Sequence, residues 1–147
     1  MKTIRLILLF ATLAGLLTLT RAAERSSVQG ILISASNESG ETDRRLAPYE
    51  PTLRRILRFE SFRFLGDDTA NLAVAEPGHL TLGNGHELAV TTESIEGNAI
   101  HVRVRWSSGG RTLMNTGLVL RAGVPAVLGG PSTGTKGEVY AVILIGR

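Results

Sequence analysis

The cleanest pattern in the 147-residue chain is AIHVRVRW, where Ile100, Val102, Val104 and Trp106 fall on one side and His101, Arg103 and Arg105 on the other. A period of two predicts a strand with one buried and one wet face. VQGILISA (Val28 to Ala35) and VYAVILI (Val139 to Ile145) are instead β-branched and apolar on both sides. Strands of that character belong at the centre of a layered fold, where they can pair with each other. In HLTLGNGHELAV, Leu80 and Leu82 share a face with Leu88 and Val90 if Gly83-Asn84-Gly85 forms a three-residue loop. Phe62 and Phe64 alternate with Arg63, and Asp67-Asp68 reads as a solvated turn ahead of Leu72 and Val74. RTLMNTGLVL changes apolar parity between Leu113 and Leu118, which predicts a bulge near Asn115 to Gly117.

One segment has the helical period instead. Leu46, Tyr49, Leu53, Ile56 and Leu57 recur on one side with Arg54, Arg55 and Arg58 opposite, Pro51 suits a first turn, and Pro48 breaks the helix or delays its start. The expected fold is therefore α+β and mostly β. It is an antiparallel sheet or two-layer β-sandwich-like domain of about seven to nine strands, with one short helix packed on it.

Ahead of this domain, Lys2 and Arg5 precede an uncharged run from Leu6 to Leu19, followed by Thr20-Arg21-Ala22. That order of features predicts a cleaved secretory signal peptide over residues 1–22 and a single domain over 23–147. The run falls short of the roughly 20 apolar residues that a spanning helix needs, so contact with a membrane is expected only through the transient leader. Three of the sixteen Lys and Arg leave with it, and thirteen cations then face thirteen Asp and Glu. The domain is formally neutral, and the basic character of the whole chain is no sign of a nucleic-acid partner. The absence of cysteine rules out both disulfides and a lipoprotein anchor. A chain held by packing alone fits the bacterial periplasm or cell exterior better than a disulfide-rich secretory route.

The candidate chemistry is sparse. GGPSTGTKG, Gly129 to Gly137, has the composition of a phosphate-binding loop, but Thr135 separates Gly134 from Lys136 and a strand follows where a helix N-terminus should lie. It reads as a hairpin connection, and no nucleotide or other cofactor is expected. His79 and His86 project from opposite faces of their hairpin and cannot share a metal there, so no metal site is expected. There is no cysteine nucleophile, and Ser107, Ser108 and Ser132 are read as turn residues. Glu87, Glu93 and Glu96 are the carboxylates a glycoside hydrolase could use, although cross-strand pairing of Glu93 with Arg103 or Arg105 is the simpler expectation.

What remains is the outward row His101, Arg103 and Arg105, a local positive strip that could meet an anionic glycan, a lipid head group or an acidic envelope protein. The competing reading is a solvated face neutralised by nearby glutamates. No aromatic platform for single-stranded nucleic acid lies beside the row. LVLRAGVPAVLGG (Leu118 to Gly130) followed by VYAVILI is similar to strand pairs in bacterial secretins and other envelope assembly proteins; the resemblance implies an accessory role in secretion and assigns no site residue. The sequence thus leads to an exported envelope domain acting as a non-catalytic binding or assembly module. A polysaccharide-active hydrolase and a secretin-like accessory protein are the alternatives.

Overall fold

A computed structural model describes residues 25–147, so the leader and its cleavage site lie outside the described residues. Eight strands form two four-stranded antiparallel sheets. The first has the order β2 (Ser61–Ala73), β1 (Arg25–Ser36), β8 (Glu138–Gly146), β7 (Ala126–Ser132). The second runs in sequence order: β3 (Pro77–Gly83), β4 (His86–Glu96), β5 (Ala99–Ser108), β6 (Arg111–Arg121). Between β1 and β2 lie a 3-10 turn (Arg44–Leu46) and the helix α1 (Glu50–Leu57).

The two doubly apolar strands are adjacent and central, with Ile31 opposite Ile143 and Leu32 opposite Val142. Their alternation supplies two separate cores. Val28, Leu32, Val142 and Leu144 turn towards the second sheet and meet Leu80, Leu88, Val102, Val104 and Trp106. Ile31, Ile33, Ala141 and Ile143 turn the other way, against Phe62 and against Leu46 and Leu53 of the helical segment. The helix is held by this burial rather than by its length, because an eight-residue helix is marginal alone. Glu50 and Arg54 form an i, i+4 ion pair of 3.0 Å on its wet face. Arg45 bonds Asp43 at 2.8 Å and holds its carboxyl down at about 2. The first sheet is therefore capped, whereas nothing among the described residues covers the outer face of the second.

Four details depart from the sequence pattern. The β3–β4 hairpin turns on Asn84-Gly85 alone, both at positive φ (52° and 75°), as a two-residue type I′ turn requires. Leu82 is the extra residue of a bulge between Thr81 and Gly83, which restores the core parity that a longer loop would have supplied. Asp67-Asp68 is no turn: β2 runs through it unbroken, with the extra residue at Leu65. In β6 the extra residue is Leu113 rather than one of Asn115 to Gly117, so Met114, Thr116, Leu118 and Leu120 all oppose core residues of β5. Finally, Gly129 to Ser132 belong to β7, and the connection proper is Thr133 to Gly137.

The two flanks of the sandwich differ. Along β2 and β3 the sheets meet through backbone, and a methyl placed on Gly66 would overlap the Leu82 carbonyl oxygen. The Asp68 carboxylate there accepts the Thr81 N–H at 3.0 Å and the Thr69 N–H at 2.8 Å. Along β6 and β7 no such seam forms. The gap is spanned by Trp106 of β5, whose ring reaches Gly130 of β7 so closely that a methyl there would overlap it.

Candidate functional site

β5 presents His101, Arg103 and Arg105 on one face, as its alternation predicts, and that face is the uncovered side of the second sheet. Each is engaged. Arg103 Nε donates to Glu93 Oε1 at 3.1 Å, His101 Nε2 lies 3.7 Å from Glu96 Oε2, and Arg105 Nε donates to Thr112 Oγ1 at 3.2 Å. Glu93 reaches Arg103 from a bulge in β4, where it is the extra residue between Thr92 and Ser94. Two of the three expected carboxylates are thus paired with the strip. Glu87, the third, shares a shallow hollow with His79 and Arg105. Exposed pairs of this kind contribute little to stability, about 1 kcal/mol or less each. No carboxylate is bonded to Arg105 among the described residues.

A second polar feature lies where the capped sheet outruns the bare one. The inward row of β1 is Val28, Gly30 and Leu32 under the second sheet, but Ser34 and Ser36 beyond it. There Ser34, Ser36, Ser61 and Arg63 line a concavity of 260 Å³ whose rim carries Glu38, Glu41 and Glu138. These glutamates have no ion-pair partner among the described residues. Nothing in the local sequence signals this grouping, because β1 and β8 bring together residues about a hundred positions apart.

His86 is the other residue whose role the sequence did not disclose. It sits on the core face with Leu88 and Val90, 3% exposed, and its Nδ1 accepts the Trp106 indole N–H at 3.0 Å. The Tyr140 ring, from the opposite sheet, lies 4.4 Å from it between centroids. Burial pushes the imidazole pKa down, and acceptance at Nδ1 fixes it as the neutral, Nε2-protonated form. The available signal was parity: His86 stands two residues before Leu88 on the same side of the strand.

Gly130-Pro131-Ser132-Thr133-Gly134 has the spacing of a hydrolase nucleophile elbow, a match that reading Ser132 as a turn residue passes over. An elbow needs a strand, a sharp turn and a helix. Here β8 follows, and the Ser132 hydroxyl accepts the Gly134 N–H at 3.1 Å. The strand after Lys136 likewise leaves no helix N-terminus for a phosphate. Ser107 and Ser108 end β5 rather than forming its turn. Among the described residues, no three His, Asp or Glu side chains cluster as metal ligands, and no helix is long and apolar enough to cross a membrane. Comparison with family models, curated proteins and solved structures returns no match.

Proposed function

We propose that the chain is an exported bacterial envelope protein that works as a non-catalytic binding or assembly module, and that it binds an anionic partner through its bare sheet. The observation that carries this reading is the unequal treatment of the two sheets. One outer face is buried under the helical cap, whereas the other is left open and carries His101, Arg103 and Arg105 in a row. The leader predicted over residues 1–22 supplies the export, and expression of the full chain in a bacterial host with fractionation should give a periplasmic or extracellular product beginning at Ala23 or Glu24. An intracellular, unprocessed product would refute that part. For the surface, wild-type protein should be retained on immobilised polyglutamate or polyuronate, and Arg103→Glu/Arg105→Glu should lose at least tenfold in retention. Equal retention of the two proteins would remove the strip from consideration.

A second reading, hydrolysis of an extracellular polymer, draws support from Glu38, Glu41 and Glu138 around one concavity. It requires turnover of a polysaccharide that Glu138→Gln abolishes in a protein of unchanged stability.

A further inference from the structure

We infer that the free edge of β6 is a docking site for an extended acidic segment of a partner protein, which adds to the bare sheet as a fifth strand. The inference rests on the binding reading above and names the class of partner.

An exposed strand edge is a template for another chain, and proteins normally blunt it with charge, proline, a bulge or a cover. Three of the four edges here are blunted. β2 and β3 cover one another across their seam, β2 also carries Asp67 and Asp68, and β7 is short and holds Pro131. β6 has a bulge at Leu113 and an arginine at each end, but from Met114 to Leu120 it carries none of these devices. It runs for 11 residues and, among the described residues, pairs with β5 alone. Between Arg111 and Arg121 it reads TLMNTGLVL, without a charge or a proline.

The hydrogen-bond phase shows what that edge offers. The Ala122 N–H donates to the Asn98 carbonyl at 2.9 Å, beyond the pair Ala99–Arg121. Antiparallel pairs alternate between bonded and non-bonded, so Leu120, Leu118, Thr116 and Met114 direct their backbone groups to β5. The N–H and C=O groups of Asn115, Gly117 and Val119 therefore point outward. Val119 is 46% exposed. An incoming strand would extend the core face with side chains beside Met114 and Leu118, and would place its alternate residues beside Asn115, Gly117 and Val119 on the wet face.

Charge selects the occupant. The edge is bounded by Arg111 and Arg121, which have no ion-pair partner among the described residues; the Arg103 guanidinium, bonded also to Glu93, lies 3.6 Å from where a Gly117 methyl would stand, and Arg105 bonds Thr112. No acidic residue lies on β6. A second copy of the chain fits poorly: the two-fold register that uses the whole strand is centred on Thr116 and sets Arg111 against Arg121 at both ends, and like charges directly opposed are unfavourable. A strand with apolar residues at one parity and Asp or Glu at the other satisfies both the ladder and the arginines.

The test uses labelled, capped nine-residue peptides, one alternating Val with Glu and the other Val with Lys, read by anisotropy against the folded domain. The Val/Glu peptide should bind at least tenfold more tightly than Val/Lys, and its binding should slow amide exchange at Asn115, Gly117 and Val119 at least tenfold. Val119→Pro removes an outward N–H that β5 does not use and should weaken binding at least tenfold with an unchanged urea midpoint. Should that variant unfold, Val/Glu peptides N-methylated at alternate residues replace it: methylation in one phase should abolish binding and in the other spare it. Equal binding by both charge types, by Val119→Pro in folded form or by both methylated phases, or no binding of Val/Glu at all, would overturn the inference. Loss of polyanion retention in Arg103→Glu/Arg105→Glu together with unimpaired peptide binding by Val119→Pro would leave the charged face standing and remove strand addition.

Discussion

The two flanks of the sandwich are closed by different means. At β2 and β3 the contact is backbone against backbone, with Gly66 under the Leu82 carbonyl and Asp68 bonded to the Thr81 N–H. At β6 and β7 it is made by side chains, Trp106 on Gly130 and Leu120 beside Gly146 with Met114, Leu118 and Leu128 in the same core, and the outer edge of β6 pairs with no strand among the described residues. A backbone seam tolerates almost no added volume, because neither partner can rotate away. A seam made by a side chain gives somewhat, and an open edge hardly resists at all. The same fold therefore contains a rigid flank and a permissive one, and binding by strand addition is available only on the latter.

Substitutions graded along these two flanks should break the comparison if it is wrong. Gly66→Ala drives a methyl into the Leu82 carbonyl and should cost about 3 kcal/mol or more, at the upper end of overpacking. Gly130→Ala meets the Trp106 ring and the Tyr140 carbonyl oxygen, the latter at 2.9 Å, and should cost about 1 to 3 kcal/mol. Asp68→Ala leaves two backbone N–H groups without their acceptor and should lower stability by about 1 to 2 kcal/mol, since bonds to a charged acceptor exceed the neutral average. Gly117→Ala, with nothing closer than 3.6 Å, should stay within about 0.5 kcal/mol of the wild type. Urea titration ranks all four, and a reversed order of Gly66 and Gly117 would dissolve the distinction between the flanks.

The buried His86 should also make stability depend on pH. His86 is neutral when folded, with its pKa lowered by burial from 6.5, while in the unfolded chain it protonates near that value. The unfolded state then binds more protons, so stability should be intact above about pH 6.5 and fall as the pH drops through the folded-state pKa. The rings of Trp106 and Tyr140 pack against the imidazole. The pH slope should be steeper in the wild type than in His86→Asn, which isolates this residue from His79, His101 and the carboxylates. Parallel slopes would show that the His86–Trp106 bond does not report on folding.

The sequence disclosed what depends on alternation alone. AIHVRVRW could be placed with its buried and wet faces assigned, and the doubly apolar β1 and β8 could be put at the centre, because a strand with no polar face needs neighbours on both sides. That Glu93 would pair with Arg103 or Arg105 was legible too, but the choice of Arg103 depends on the β4 bulge that carries Glu93. Bulges were harder to place: Leu65, Leu82, Glu93 and Leu113 each insert one residue, and parity alone does not say where the insertion sits. Asp67-Asp68 resembles a turn in the sequence because an acidic pair within a strand shows no partner until the opposite strand supplies the Thr81 N–H. The concavity at Ser34 and Ser36 depends on one sheet outrunning the other, a property of strand order that local pattern does not encode.

The single tryptophan of the chain gives the molecule its own optical gauge. Trp106 is wholly shielded, its indole N–H is committed to His86, and its ring rests on the opposite sheet. Its emission should therefore be short in wavelength and should shift to the red only when the two sheets part. The α1 cap lies on the far side of the first sheet and could detach without altering that signal, while the helical circular dichroism would fade. Following both signals through one denaturant ramp would show whether the cap and the sandwich come apart together or in sequence.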